Sequence, residues 1–232
     1  MRALLAAFAI ACAAPAPALD ASPARPGARV LFVGNSLTEG NNLPGMVAVL
    51  SAAAGVPLQV AAVTIPGAHL GDHLDAGSAR RLETGRWDFV VLQQGPTSRP
   101  ESRDQLVRDA GRWAKLIRAA GGRPALFMVW PIRDEPEWFD GVHENYALAA
   151  ERCGGLFLPA GESWRIARRL DPKVALYSPD GLHPTPTGSY AAALVIFAGL
   201  TGRSPRGAPA LDGMSPETAD LLQRAAEQSL AP

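Results

Sequence analysis

Five short apolar runs, separated by longer segments of helical character, constrain this chain more than any other property. They are Val30–Val33, Leu58–Ile65, Trp87–Leu92, Ala125–Trp130 and Leu156–Leu158. They are apolar and of strand length, and the first, Val30–Val33, reads as a strand buried on both faces. The segments between and after them predict helices over Leu43–Ala54, His69–Glu83, Glu101–Ala120, Pro136–Arg152 and Gly161–Leu170, with further helices from about Pro186 and over Ser215–Leu230. In the longest of these, Leu106, Trp113, Leu116 and Ile117 share one face. Strands alternating with helices predict an α/β fold, with a five-stranded parallel sheet in a three-layer α/β/α sandwich and right-handed crossovers. The strand order is expected to be flavodoxin-like. Ligands of such sheets sit at the carboxyl ends of the strands, so Ser36, Gly67, Gln94 and Trp130 are expected on one rim.

A chain of 232 residues can build one sizeable core and is short for two full domains. Its 22 basic and 22 acidic side chains cancel, so no overall field draws it to nucleic acid or anionic lipid. Met1-Arg2, the uncharged Ala3–Ala14 and the small-x-small Ala16-Pro17-Ala18 have the parts of an export signal. The expected organisation is a signal peptide over 1–18, a Pro-containing linker over 19–28 and a single domain over 29–232. The apolar run is too short to span a bilayer. The expected location is therefore periplasmic or secreted, with a lipid anchor at Cys12, which follows Ala9-Ile10-Ala11, as the alternative. Cys153 is then the one thiol left, unable to form an internal disulfide and expected to be buried.

The first strand has to stop at Gly34, and Asn35-Ser36-Leu37-Thr38 follows at once. A strand-to-helix turn there leaves Ser36 beside the unpaired N–H groups of a helix start. On its own, such a residue reads as a helix cap or a turn former. Far downstream lies Asp180-Gly181-Leu182-His183. A carboxylate separated by two residues from an imidazole, on a turn eased by glycine, can accept from one ring nitrogen and leave the other to take a proton. A serine needs such a base to become a nucleophile. The competing reading is a solvated loop pair with Asp180 as a turn residue.

Taken together, these blocks resemble the SGNH, or GDSL-like, hydrolases over roughly residues 28–200. Gly34-Asn35-Ser36-Leu37-Thr38 resembles the first block, Gly67 the glycine of the second, Gln94-Gly95-Pro96-Thr97 falls at the third, and Asp180 with His183 resembles the last. The resemblance implies ester hydrolysis through an acyl-enzyme without a cofactor or metal. Ser36 would be the nucleophile, His183 the general base and then acid, and Asp180 its orienting partner. The backbone N–H groups of Ser36 and Gly67 would face the oxyanion. Two departures stand out. Asn35 replaces the usual Asp, and Thr97 stands where the third block's oxyanion-hole Asn belongs. Gln94 is the expected substitute donor, with Gln93 and Thr97 as alternatives; a Gln-Gly pair at this place resembles carbohydrate acetylesterase branches.

Two other readings compete. His69 and His73, four apart with Asp72 between them, could ligate a metal from one helix face, although no third ligand is evident. A non-catalytic carbohydrate-binding domain could use Trp130, Trp138 and Tyr146 as stacking surface. A phosphate-binding loop is excluded because Gly34–Gly40 lacks the lysine that should follow the second glycine. The expectation is an exported, cofactor-free serine esterase acting on a small acyl ester, most simply an O-acetyl group on a carbohydrate, with lipid esters and thioesters as the alternative substrates.

Overall fold

The computed structural model describes residues 22–231. The expected export signal, Cys12 and the start of the linker lie outside the described residues. Strands β1 (Arg29–Gly34), β2 (Gln59–Thr64), β3 (Phe89–Leu92), β4 (Arg123–Phe127) and β5 (Leu156–Leu158) form one sheet in the order 2-1-3-4-5. Every pairing is parallel, and Phe32 at the centre of β1 stands between Ala62 and Val91. The apolar runs thus pair in the expected flavodoxin-like order. β1 and β3 are buried except at Arg29, whereas β2, at the edge, exposes Gln59 and Ala62. Growth of the sheet reverses between β1 and β3, and the crevice at that reversal is where an open α/β sheet offers space to a ligand.

The helices are α1 (Ser36–Glu39), α2 (Leu43–Ala53), α3 (Leu70–Asp75), α4 (Pro100–Ala119), α5 (Phe139–Cys153), α6 (Ala160–Leu170), α7 (Pro186–Thr201) and α8 (Pro216–Ser229). One layer packs α2 on α7 and α7 on α6 and α8, while the other packs α3 on α4 and α4 on α5. Every residue of α7 from Gly188 to Ala198 is buried, as befits a helix apolar on all sides. Trp130 and Trp164 stack in the core with ring centres 3.5 Å apart and planes 7° off parallel, and Tyr177 meets Trp164 edge-on. Cys153 is a free, buried thiol, and burial pushes its pKa up to about 11.

The structure departs from the sequence reading at four places. The helix expected over His69–Glu83 is two pieces, α3 and a 3-10 turn at Ser78–Leu82, because Gly77 takes φ +76° between them. The segment from Pro136 opens as a 3-10 turn before α5 begins. β4 ends at Phe127, and Met128–Trp130 run on toward the rim. Finally, a short helix not expected from the sequence, α1, starts at Ser36 ahead of α2, which begins at Leu43 as expected; Asn35 caps α1, its Oδ1 accepting from Leu37 N–H at 3.1 Å.

Candidate active site

Ser36 is the first residue of α1, so its own N–H has no acceptor within the helix. The chain needs no loop to make this turn. β1 stops, Asn35 caps, and the serine is delivered half-buried at the reversal point of the sheet. Its Oγ lies 2.9 Å from Nε2 of His183, 147 positions away in sequence. His183 Nδ1 in turn lies 2.6 Å from Oδ2 of Asp180. A carboxylate on Nδ1 holds the ring proton there and leaves the Nε2 lone pair facing the serine hydroxyl.

Local hydrogen bonds make Asp180 the centre of its loop. Its Oδ1 accepts from the N–H groups of Leu182 and His183, both at 2.9 Å. These bonds, with that from His183, draw its pKa down to about 2. The loop is also held from outside, since Trp130 Nε1 donates to Leu182 O at 3.0 Å and Arg133 N–H to Gly181 O at 2.8 Å. Asn41 joins the two halves of the site. Its Nδ2 donates to Pro184 O at 3.0 Å and to Ser189 Oγ at 2.9 Å, tying the segment after the serine to the segment after the histidine. Asn41 and Asn42 both take positive φ, which asparagine tolerates better than most residues.

Gly67 occupies the third position of a turn closed by Ala68 N–H on Ile65 O. Pro66 before it and φ +71° at Gly67 are what a type II turn requires, and the turn leaves the Gly67 N–H unused. Asn35 Nδ2 donates to Ala68 O at 3.2 Å, so this turn is hydrogen-bonded directly to the serine's turn.

Gln94 does not have the free amide that the sequence suggested. It is fully buried; its Oε1 accepts from Leu70 N–H at 3.2 Å and its Nε2 donates to Thr97 Oγ1 at 3.0 Å. Thr97 is equally buried and passes its own hydrogen to Gly95 O. Gln93, pointing the other way along the pleat, is also buried and reaches beneath the serine's turn. Gln94 is thus buried with its Oε1 and one Nε2 hydrogen already engaged, unlike the free donor the sequence suggested.

The histidine pair is not a metal site either. His73 is fully buried, with Nε2 2.8 Å from Gly34 O and Nδ1 2.9 Å from Ser78 Oγ. Burial lowers its pKa and keeps the ring neutral, so Nε2–H donates to Gly34 and Nδ1 accepts from Ser78. With both nitrogens engaged it is not a free ligand, and His69 is the cap residue of α3 rather than a neighbour on its exposed face. Among the described residues no group of three or more His, Cys, Asp or Glu could hold a metal ion. Of the proposed sugar-stacking rings, Trp130 and Tyr146 are fully buried and only Trp138 reaches the surface. Among the described residues no helix is long and apolar enough to cross a membrane.

Asn41 and His73 escaped the sequence reading as supports of the serine's turn, while Asn35 and Gln93 were named there without the contacts they make. The Asn-Asn pair after Gly40 was a visible turn signal, but nothing local marks what a buried amide or imidazole will contact.

No family model matches the chain, and no curated protein does. Solved structures do. A protein from Slackia heliotrinireducens, assigned as an SGNH hydrolase, is 30% identical with a TM-score of 0.62, over 74% of this chain and 97% of that one. A DUF4886 family protein from Bacteroides uniformis superposes with a TM-score of 0.78 at 19% identity, over 88% of this chain and 95% of its own. An acetylxylan esterase from Geobacillus stearothermophilus, solved as a catalytic mutant, has a TM-score of 0.57 at 15% identity, over 76% and 94% of the two chains.

Proposed function

Since the chain belongs to the SGNH hydrolase superfamily, we propose that it is a serine esterase that removes small acyl groups, most simply acetyl from a carbohydrate, through an acyl-enzyme. One observation carries this reading: the 2.9 Å contact between Ser36 Oγ and His183 Nε2, with Asp180 behind the ring. In the first half-reaction Ser36 Oγ attacks the ester carbonyl carbon while its proton passes to His183 Nε2. The oxyanion that forms is met by the N–H groups of Ser36 and Gly67. Collapse of the intermediate breaks the bond to the leaving alcohol, which takes the proton back from His183. In the second half-reaction a water molecule loses its proton to His183 and attacks the acyl carbon. The acid leaves, and the proton returns to Ser36. No step needs a cofactor or metal.

The preference for acetyl on a carbohydrate is supported by the name of the acetylxylan esterase neighbour and by the half-exposed Asp180–His183 pair, which leaves the serine open to a bulky leaving group. We further propose that residues 1–18 direct export, on the composition of Met1–Ala18. A longer acyl chain is the second reading. A groove of about 230 Å³ bordered by Asn41, Met46, Val49, Leu50, Tyr190 and Leu211 could receive one.

The test is hydrolysis of p-nitrophenyl esters of increasing chain length, together with acetate release from acetylated xylan oligomers. Wild type should favour acetate, Ser36→Ala should be inactive, and His183→Ala should lose roughly 10⁴-fold or more in kcat, since the serine then has no base. Equal rates for wild type and Ser36→Ala would refute the esterase reading, and a maximum at long chains would replace acetyl by the second substrate class.

A further inference from the structure

We propose that Gln93 is a positioning residue for the oxyanion hole, acting through Asn35 to hold the Ser36 and Gly67 turns at fixed separation. The proposal rests on the esterase reading above. Gln93 is fully buried at the end of β3, and all four of its hydrogen-bonding positions are used. Oε1 accepts from Asn35 N–H at 2.9 Å and from Thr38 Oγ1 at 2.6 Å. Nε2 donates to Asn35 Oδ1 at 3.0 Å and to Gln94 O at 2.6 Å.

The amide thus grips Asn35 at both backbone and side chain, and Thr38 one turn further on. The serine lies between these two anchors. Asn35 passes the constraint onward. With Oδ1 occupied by Gln93 and Leu37, its amide can present only Nδ2 to Ala68 O, which it meets at 3.2 Å. Ala68 is bonded to Gly67 in the chain, so the separation of the two N–H groups that would receive the oxyanion is set by a relay of two side-chain amides.

Space is reserved for this relay. A Cβ at Gly34 would come within 2.5 Å of Gln93 Oε1 and closer still to Thr38 Oγ1. His73 supports the same turn from the other side through Gly34 O. A hole built from backbone groups has no side-chain donor that can readjust, so its geometry depends on whatever fixes the two turns.

The experiment compares wild type, Gln93→Met and Gln93→Glu, using p-nitrophenyl acetate turnover and the rate at which a fluorophosphonate labels Ser36. Gln93→Met keeps the volume and removes the grip. It should lower kcat about 10–100-fold and slow labelling similarly while KM moves by less than about threefold, since the loss is confined to the transition state. Gln93→Glu supplies the discriminating readout. Ionised, it offers no hydrogen to Asn35 Oδ1 or Gln94 O, and protonated it regains one. Its kcat relative to wild type should therefore fall as pH rises through the range of the buried carboxyl, which desolvation places above the usual carboxylate range. The titratable groups around the position are His73 on α3, Tyr146 on α5 and His183 ahead of α7. They are present in both proteins, and a new negative charge that held the imidazoles protonated to higher pH would make the ratio rise with pH, the opposite of the fall expected here.

A Gln93→Met enzyme that labels and turns over like wild type overturns the proposal and leaves the esterase intact. Should that variant not fold, a Gln93→Glu to wild-type ratio that is flat with pH overturns it equally. If wild-type Ser36 neither turns over the ester nor takes the phosphonate, the esterase reading falls, and this proposal with it.

Discussion

Replacing Asp180 by asparagine exchanges one oxygen for an NH2 group and should nearly silence the enzyme, for a reason that can be followed bond by bond. Asp180 Oδ1 accepts from two backbone N–H groups, of Leu182 and His183, and Oδ2 accepts from His183 Nδ1. An asparagine can face this surround in two ways. With its oxygen toward the imidazole, its NH2 would point at two backbone donors, leaving both without an acceptor and crowding hydrogen against hydrogen. With its oxygen toward the backbone, both of those bonds survive and the NH2 meets Nδ1. The second arrangement keeps two bonds where the first keeps one, and it forces the ring proton onto Nε2, the nitrogen 2.9 Å from Ser36 Oγ. The base is then blocked by its own proton. The same exchange in a serine protease triad costs about 10⁴ in kcat. Here Asp180 and His183 are both half-exposed and water can partly relieve the tautomer, so a loss of about 10³–10⁴-fold is expected. The wild-type carboxyl, with a pKa near 2, stays charged throughout the neutral range, and its stabilising contribution is lost only as pH falls from 3.8 through about 2. The assay is steady-state hydrolysis of p-nitrophenyl acetate at saturating substrate, with a melting curve to show that the variant is folded. A folded variant retaining more than about a tenth of wild-type kcat would show that His183 does not depend on Asp180 for its tautomer, and the assignment would fail.

Other substitutions test other parts of the structure. Gly34→Ala forces a methyl against Gln93 and Thr38 in a closed core and should cost about 1–3 kcal/mol in urea unfolding, with a fall in kcat at temperatures where the protein remains folded. Trp164→Ala removes a fully buried ring stacked on Trp130 and should cost about 3–5 kcal/mol in the same measurement. Because Trp130 holds Leu182 O, that variant should also show a lower kcat before it melts. Cys153, its thiol pKa raised to about 11 by burial, is protonated in mildly alkaline buffer and, in a Cys12→Ser protein, should react with a disulfide reagent only after denaturant is added; rapid reaction of that native protein would contradict its placement.

The sheet was legible because its strands are apolar in runs that no helix period explains, and because glycine or proline stops most of them. The seven longer helices were placed for the same kind of reason, and the errors fell where a single residue overrode the pattern. Gly77 at positive φ cut one helix in two, and Asn35 began another at Ser36 by capping it. The residues of the serine, histidine and aspartate turns could be named from the sequence because each lies in a short motif with turn chemistry of its own. Gln94 could not be judged that way. Adjacent strand residues point to opposite faces, but which face meets the site depends on Leu70 of α3 and Tyr146 of α5, together with Thr97 further along the same loop. His73 was invisible for the same reason: its partners, Gly34 and Ser78, are brought to it by β1 and by the turn after α3.

The 147 positions between Ser36 and His183 have a consequence for how turnover can arise during folding. The nucleophile belongs to the first strand of the sheet, while the histidine rides just ahead of α7, whose middle is sealed inside the molecule. Any partly organised species in which α7 has not docked holds a serine with no base and is chemically silent. Appearance of activity on dilution from denaturant therefore times the docking of that one helix, and a nascent chain stays inert until α7, which ends at Thr201, has been made.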